Sequence, residues 1–298
     1  MSRILIFGST GLLGTEVARV FSERGWDLYM PGRAMCDFTS QDALLGPFLK
    51  KLEDVRCIIN CAAYADVDEA EDCAEVGLVI ASNITALQLI ADAALERDIP
   101  VVHVSTDYVF GGTGSALYAE DVRPCPVNTY GWSKMMGECV LRASGCKHTI
   151  VRTSWLYGQT RPVFVNKVID SVLSCQPIWA AADLIRVPTP ASYVASCIAD
   201  LVSAEEFGIF HCMPSGTATP YEVATAIQAM LWKGGQSAPI SPQLMRYGSG
   251  AHRPVDVRLD CSKLVQELGY EGVPHWRAEL EQYVTARAAS LRSRDPKI

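Results

Sequence analysis

Along the first half of the chain, short continuous apolar runs alternate with longer segments in which apolar residues recur at helical spacing. The runs predict strands and the longer segments predict helices. Continuous apolar runs of strand length, typical of strands buried on both faces, occupy residues 4–7, 55–61 and 100–105. Shorter strand patterns lie at residues 27–30 and 149–152. Helical spacing of apolar residues fills the intervals, at residues 15–24, 41–52, 81–96 and 133–141. This alternation predicts an α/β fold with a doubly wound parallel sheet.

The regular alternation weakens after Tyr157, where prolines become frequent. Helical patterns persist at residues 190–203, 221–232 and 276–293, and residues 207–211 have the pattern of a strand. We predict that residues 1–156 form the sheet domain. Residues 157–298 would then form a smaller mixed α/β domain that supplies the substrate pocket, with some segments returning to pack on the sheet.

Composition narrows the class of protein. The 298 residues carry a net charge of −7 and no long basic cluster, which argues against a nucleic-acid partner. Because we find neither a run near the ~20 apolar residues of a membrane span nor a signal-peptide pattern, we expect a cytoplasmic protein with no membrane partner. The eleven cysteines are scattered and form no Cys-x-x-Cys pair, so we expect reduced core cysteines and assign no metal site.

A glycine-rich turn lies between the first predicted strand and the first predicted helix. Gly8, Gly11 and Gly14 have a spacing that allows a tight turn, close approach of a pyrophosphate and packing of the helix on the strand. A glycine pattern alone is weak evidence, and its position between strand and helix is what predicts a dinucleotide site. The cofactor contacts predicted in this turn are Gly8, Ser9, Thr10, Gly11, Leu12, Leu13 and Gly14.

Gly32 and Arg33 follow the second predicted strand, where an enzyme that selects NAD usually offers a carboxylate to the ribose 2′-hydroxyl. The Arg33 guanidinium can instead pair with the 2′-phosphate of NADPH. We therefore expect NADPH, with NADH as the alternative if Arg33 is only a solvated surface residue. Asp37 and Phe38 come next along the chain and are expected to flank the adenine.

Tyr130 and Lys134 lie four residues apart on a predicted helix, so their side chains share one face. A neighbouring ammonium favours the phenolate form of a tyrosine, which suits the pair for acid–base catalysis, and Lys134 is also expected to hold the nicotinamide ribose. Thr106 or Ser105, at the carboxyl end of a strand, would bond the reacting carbonyl oxygen. Asn83, in the long predicted helix, is a candidate for a water relay to Lys134. Because Tyr-x-x-x-Lys arises often by chance, the prediction depends on the whole combination.

With these residues in place, the chain resembles the dTDP-4-dehydrorhamnose reductase family of extended short-chain dehydrogenases over nearly its whole length. Residues 105–110 (Ser-Thr-Asp-Tyr-Val-Phe) match the family's fourth-strand signature, which is highly specific. Further matches lie at residues 60–64, 67–71, 152–158, 188–189, 208–211, 253–254 and 259–264.

The resemblance implies a Rossmann domain with a smaller C-terminal substrate domain. It implies reduction of the 4-keto group of a dTDP-6-deoxyhexose, giving dTDP-L-rhamnose in the typical member, by a monomer or homodimer. The family's catalytic residues fall on Thr106, Tyr130 and Lys134. Third-strand cofactor contacts fall on Cys61, Ala62, Ala63 and Tyr64. The expected substrate contacts are Val67, Ser105, Thr106, Asp107, Trp155, Val163, Arg186 and Arg253.

Departures from the family pattern concentrate where specificity would lie. Ala65-Asp66 replaces Thr-Ala, Pro162-Val163 replaces Asn-Asn, and residues 183–186 read Asp-Leu-Ile-Arg in place of Asp-Gln-x-Gly. A different nucleotide 4-keto sugar is therefore an alternative substrate. Two other classes stay open: a non-catalytic regulatory subunit of S-adenosylmethionine synthetase, and a related epimerase or dehydratase. A dehydratase is disfavoured because Tyr108 stands where its acidic pair would need a second acid.

Overall fold

The computed structural model describes residues 3–112, 117–232, 234, 237–245 and 250–294. The strands within these residues are β1 (Arg3–Phe7), β2 (Leu28–Tyr29), β3 (Val55–Asn60), β4 (Val101–Thr106), β5 (His148–Thr153), β6 (Leu156–Tyr157), β7 (Ile178–Ala181), β8 (Thr189–Pro190), β9 (Gly208–His211) and β10 (Ile240–Gln243). Six of them form a parallel sheet in the order β2-β1-β3-β4-β5-β9. The chain changes direction across the sheet between β1 and β3, and the carboxyl ends of the strands at such a point form a ligand crevice.

Ten α-helices lie among the described residues. They are α1 (Leu12–Glu23), α2 (Gly46–Lys50), α3 (Val76–Ile80), α4 (Ala86–Glu96), α5 (Thr129–Ala143), α6 (Phe164–Leu173), α7 (Ala191–Ala204), α8 (Pro220–Leu231), α9 (Ser262–Leu268) and α10 (Trp276–Arg294). Wider or tighter helical turns occupy Gln41–Leu45, Glu69–Glu71, Ala81–Thr85 and Asp107–Val109.

The helices cover both faces of the large sheet. Ile6 of β1 packs in one apolar layer with α1 and α7, where Val17 and Ile198 are fully buried. Leu5 packs in the opposite layer with α4, where Ile90 is buried. Successive strand residues point to opposite faces, so a strand covered on both sides reads as a continuous apolar run. The predicted fold class, a Rossmann doubly wound sheet with a smaller C-terminal part, is confirmed.

The second half of the chain contributes to two regions. Strand β9 pairs with β5, and α7 packs against α1, so both belong with the large sheet. Helices α6, α8 and α10 instead surround a separate apolar cluster in which Val168, Ile227 and Leu280 are buried. Two small parallel sheets, β6 with β8 and β7 with β10, complete this part. The boundary at residue 156 stays a prediction.

The structure differs from the sequence expectations in several places. Helices α6 and α9 were not predicted, although in α6 Val165, Val168, Ile169 and Val172 repeat at helical spacing and are buried. The strands of the small sheets were also unassigned because they span only two to four residues. The run Val76–Glu96 has the length and composition of a membrane span, contrary to our expectation. Half of its apolar window is buried within the protein, as in a core helix.

Candidate active site

The glycine turn forms a cradle at the carboxyl end of β1. Gly8 has φ +73°, a conformation that favours glycine, and a side chain there would meet the backbone nitrogen of Ala62 at 2.6 Å. A Cβ on Gly14 would lie 2.1 Å from the Gly8 carbonyl oxygen, so only glycine lets α1 start this close to the strand. Because the first N–H groups of a helix are free to bind an anion, the cradle fits a pyrophosphate.

The other residues predicted in this turn contribute mainly through the backbone. Leu13 is 6% exposed and packs in the core with α7, while Leu12 packs beside it. Thr15 donates to the Ser9 and Gly11 carbonyl oxygens, at 3.2 and 2.8 Å, which fixes the turn that carries the exposed Thr10.

Adding one methyl group to this cradle should disable it. In Gly14→Ala the new Cβ meets backbone, so we expect α1 to shift, the free energy of unfolding to fall by about 1–3 kcal/mol, and dinucleotide binding to weaken at least tenfold, ~1.4 kcal/mol. Denaturant unfolding and fluorescence titration with NADPH measure these effects. Gly77→Ala is the matched control, because its Cβ would meet nothing within 4 Å. Equal behaviour of the two variants would contradict the cradle.

The segment after β3 closes the second side of the crevice. Cys61 N donates to the Phe7 carbonyl, and Ala62 N donates to Asn60 Oδ1, each at 3.0 Å. These bonds hold the backbone of residues 61–64, including the exposed Ala63, beside Gly8.

Asn83 braces the same segment from the helical side. Its Oδ1 accepts the Tyr64 N–H at 2.8 Å, and its Nδ2 donates to the Tyr64 carbonyl at 3.0 Å and to Ser133 Oγ at 2.8 Å. The side chain is 2% exposed and its hydrogen-bonding groups are occupied by protein. A bracing role explains these contacts, and they do not support our prediction of a water relay to Lys134.

The residues predicted near the adenosine end have different environments. Arg33 is exposed after β2, free to meet a phosphate from solvent. Asp37 accepts from Thr39 N and Oγ1 at 2.8 and 2.7 Å, and these bonds lower the pKa of its carboxyl group. Phe38 is 9% exposed and packs edge-on against Phe7 at 5.3 Å between ring centroids. It is therefore a core residue, and the prediction that it flanks the adenine has no support.

Thr106 and Tyr130 meet at the carboxyl end of β4. Asn128 caps α5 by accepting the Gly131 N–H at 2.7 Å. A Cβ on Gly131 would lie 2.2 Å from the Tyr108 carbonyl oxygen, so this glycine lets the first turn of α5 approach β4. Burial raises the pKa of the Tyr130 phenol above its usual value, and a hydrogen bond with Thr106 opposes that rise. The predicted pair is thus brought together.

Lys134 points into the sheet from the next turn of α5. Its Nζ donates to the Val104 carbonyl at 2.7 Å and lies 3.0 Å from His103 Nε2. Burial lowers the pKa of Lys134 to about 8. Tyr130 owes its shifted pKa to burial, Thr106, Asp107 and Tyr108. The structure thus gives no support to our expectation that Lys134 lowers the pKa of Tyr130.

Asp107 and Arg186 are two buried ionisable residues behind Thr106 that influence each other electrostatically. Asp107 is 2% exposed and accepts from Thr106 Oγ1 at 3.1 Å and from Ser154 Oγ at 2.7 Å. Burial raises the pKa of Asp107, and the charge of Arg186 opposes the rise. Arg186 is 5% exposed, donates to the Pro254 and Val255 carbonyls and lies over the Tyr108 ring. Its guanidinium is therefore occupied by protein rather than open to a diphosphate.

Ser105 faces away from Thr106. Its hydroxyl donates to Glu138 Oε1 at 2.5 Å, and Glu138 forms a two-bond ion pair with Arg152 at 3.0 and 2.6 Å. Glu138 and Arg152 are 2% and 1% exposed. These contacts place Ser105 in a buried structural network and do not support its predicted role as a substrate contact.

The remaining predicted substrate contacts border the crevice. Trp155 follows β5 with φ +28°, an uncommon conformation for a bulky residue that is found at functional sites, and its ring packs on Phe164 at 5.4 Å. Val163 precedes α6 and is half-buried. Arg253 pairs with Asp68 at 2.7 Å, which ties the segment after β3, where Val67 lies, to the C-terminal part.

Sequence reasoning missed several residues that hold the site. Asn60, His103, Ser133, Glu138 and Ser154 are buried polar residues that bond the predicted ones or their backbone. The sequence feature that could have identified them is a polar residue inside an otherwise apolar strand or helix face. Such a residue is expected to have a hydrogen-bond partner, because buried polar groups need partners.

Comparisons with known proteins give matches over nearly the whole chain. The family model described as the RmlD substrate binding domain matches residues 1–289. The spore coat polysaccharide biosynthesis protein SpsK of Bacillus subtilis is 32% identical over 293 residues, covering 97% of this chain and 99% of SpsK. The dTDP-4-dehydrorhamnose reductase of Salmonella typhimurium is 31% identical over 294 residues, covering 95% and 97%. The crystal structure of dTDP-4-dehydrorhamnose reductase from Bacillus anthracis in complex with NADP has a TM-score of 0.87 at 28% identity and covers 96% of this chain and 100% of that one.

The glycine cradle, the Tyr-x-x-x-Lys helix and the Thr106 strand end on one parallel sheet define an extended short-chain dehydrogenase. Within that class, the chain belongs to the dTDP-4-dehydrorhamnose reductase family, as the family model and the relatives above 30% identity show. The family predicted from the sequence motifs is confirmed.

Proposed function

We propose that this protein is an NADPH-dependent reductase of the 4-keto group of a dTDP-4-keto-6-deoxyhexose. The preferred substrate is dTDP-4-dehydro-L-rhamnose and the product dTDP-L-rhamnose. The observation that carries this proposal is the meeting of Thr106 and Tyr130 at the same sheet edge as the glycine cradle, in a chain of this family. The same meeting disfavours a non-catalytic regulatory subunit, which needs no such pair.

The cradle fits NADPH. Gly8, Gly11 and Gly14 would leave room for the pyrophosphate, and the backbone of residues 61–64 would border the nucleotide on the β3 side. The NADP complex of the Bacillus anthracis relative supports the choice of cofactor. When bound, the cofactor supplies the hydride.

The chain's own residues would supply the proton. Tyr130, half-buried beside Thr106, donates its phenolic proton to the 4-keto oxygen, and its raised pKa keeps that proton in place until the oxygen becomes basic. Thr106 orients the phenol and bonds the same oxygen. Lys134, on the next turn of α5, would hold the nicotinamide ribose. Trp155, held at positive φ, covers the sugar and excludes water.

Arg33 should decide between the two dinucleotides. If its guanidinium holds the 2′-phosphate, Arg33→Ala should weaken NADPH binding by about 1.5–3 kcal/mol, as for a lost charged hydrogen bond, while NADH binding barely changes. Titration of both cofactors measures this. Arg56→Ala is a suitable control, because Arg56 is an exposed arginine that lies over Trp26 at the other end of the sheet. Equal losses for NADPH and NADH would exclude a selecting arginine.

A different 4-keto sugar nucleotide is the second candidate substrate. Leu184 is 5% exposed and cannot bond a sugar hydroxyl, while Arg186 ties its own segment to residues 254–255. The pocket wall beside Tyr108 therefore differs from the amide-lined pattern of the family. The second candidate is favoured if another dTDP sugar is reduced faster than dTDP-4-dehydro-L-rhamnose.

The assay that tests the proposed function follows NADPH oxidation at saturating cofactor with dTDP-4-dehydro-L-rhamnose, other dTDP 4-keto sugars and a UDP 4-keto sugar. We expect the highest kcat/KM with a dTDP substrate. No oxidation with any member of the panel would reject the proposal. We further propose a cytoplasmic location, supported by the eleven cysteines, all of which are thiols rather than disulfides.

A further inference from the structure

A chain of buried polar side chains connects β3 to α5 beneath the site. Asn60, His103 and Lys134 are 1%, 1% and 2% exposed. Asn60 Nδ2 lies 3.2 Å from His103 Nδ1, and His103 Nε2 lies 3.0 Å from Lys134 Nζ. Both ring nitrogens of His103 therefore face a nitrogen of a neighbour, so the direction of each hydrogen bond must be worked out from the partners.

Asn60 fixes one end of this chain. Its Oδ1 accepts the Ala62 N–H at 3.0 Å, so the amide cannot rotate without setting two N–H groups against each other. Its Nδ2 is consequently a donor toward His103, and Nδ1 must accept. Burial holds the pKa of His103 well below its usual value, so the ring is neutral. A neutral imidazole that accepts at Nδ1 carries its proton on Nε2.

The Nε2–H group then faces Lys134. An ammonium has three donors and no lone pair, so it cannot accept this bond, whereas a neutral amine can. The amine also keeps a hydrogen for the Val104 carbonyl at 2.7 Å. A neutral lysine is thus the state in which every group in the chain has a matching partner. Protonation of Lys134 would require Nε2 to become the acceptor, which moves the ring proton to Nδ1 against the Asn60 amide.

We propose that His103 is a positioning residue for Lys134, and that the tautomer of His103 and the charge of Lys134 change together. With the ring proton on Nε2, His103 holds the lysine as a neutral proton acceptor. With the ring proton on Nδ1, it accepts from the ammonium. Asn60 biases the pair toward the first state, because only that state satisfies its amide.

The groups that face Lys134 place its change of charge close to neutral pH. Glu138 on the same helix and Cys61 after β3 raise its proton affinity, while burial lowers the pKa to about 8, and Tyr130 lies one turn away. Under the proposed function each turnover consumes one proton through Tyr130. A lysine that gains and loses a proton near neutral pH can restore it, so the His103 pair would set the alkaline limb of the kcat/KM profile.

The test is an NMR titration of protein labelled with ¹⁵N in histidine and lysine, without added ligand. We expect His103 to carry its proton on Nε2 at pH values above the Lys134 midpoint, and to change tautomer with that same midpoint. His148 is the internal reference, because its Nδ1 faces the Cys146 carbonyl at 2.8 Å and must be a donor. A His103 proton on Nδ1 throughout the titration would overturn the proposal.

Asn60→Asp gives the second arm. The new carboxylate keeps the Ala62 bond but accepts from Nδ1–H, so it should lock the other tautomer. The Lys134 midpoint should rise by about one unit or more, a tenfold gain in proton affinity. An unchanged midpoint would contradict the proposal, and if this variant does not fold, the wild-type tautomer decides alone. Neither arm needs turnover, so a negative reductase assay would reject the proposed function without touching this result.

Discussion

Replacing Tyr130 with phenylalanine is expected to lower turnover by roughly 10²–10⁴-fold, the usual contribution of a general acid, while NADPH still binds. The ring would keep its edge-on contact with Tyr108, at 6.0 Å between centroids, so packing at the start of α5 is retained. The variant lacks the phenolic proton that Tyr130 would donate to the 4-keto oxygen beside Thr106. Steady-state kinetics on the dTDP substrate, with a cofactor titration alongside, measures both quantities.

Tyr118→Phe is the matched control for this variant. Tyr118 stacks on Phe110 with 4.3 Å between the ring centroids. Tyr118→Phe also removes a phenolic hydroxyl, but at a position away from the Thr106 end of β4. Turnover of Tyr118→Phe should stay near that of the wild type. If Tyr130→Phe is equally active, Tyr130 is not the acid; if it loses NADPH binding as well, its role is structural.

Replacing Glu138 with glutamine is expected to cost about 3–5 kcal/mol of unfolding free energy, the usual effect of breaking a buried ion pair. Glutamine keeps the shape but leaves the Arg152 guanidinium charged and buried beside Phe110 and His211. It also weakens the acceptor of the Ser105 hydroxyl. Urea denaturation followed by circular dichroism gives the difference directly.

A surface pair on α1 supplies the comparison. Arg19 and Glu23 lie 2.7 Å apart but are 47% and 61% exposed, so Glu23→Gln should change stability by only about 0–1 kcal/mol. The double variant Glu138→Leu with Arg152→Met should regain much of the loss, because no buried charge is left unpaired. Similar costs for Glu138→Gln and Glu23→Gln would show that the buried pair does not stabilise the fold as argued.

The site residues that belong to short local motifs could be predicted from the sequence alone. The glycine turn, Thr106 and the Tyr130–Lys134 helix are each local features, and each lies where a strand ends or a helix begins at the carboxyl edge of a parallel sheet, so their meeting could be predicted. Strand alternation could also have separated Ser105 from Thr106, since neighbours on a strand point to opposite faces. The sequence motif makes both residues candidates, and the contact of Ser105 with Glu138 favours Thr106.

Other parts of the site depend on contacts between distant segments. Lys134 meets His103 because α5 packs over β4, and no spacing within either element encodes that approach. The family resemblance placed Arg186 among the substrate contacts, but its guanidinium is taken up by the backbone of residues 254–255. Phe38 lies beside the predicted adenine segment in sequence, yet burial against Phe7 draws its ring into the core.

The most direct test of the proposed reaction is the fate of the transferred hydride. The protein is incubated with NADPH carrying deuterium at nicotinamide C4 and with dTDP-4-dehydro-L-rhamnose, and the sugar product is examined by NMR and mass spectrometry. We expect a product one deuterium heavier, with the label at sugar C4 and the configuration of dTDP-L-rhamnose. Recovery of unlabelled sugar from both stereospecifically labelled forms of NADPH, with this and every other dTDP 4-keto sugar, would contradict a 4-keto reductase.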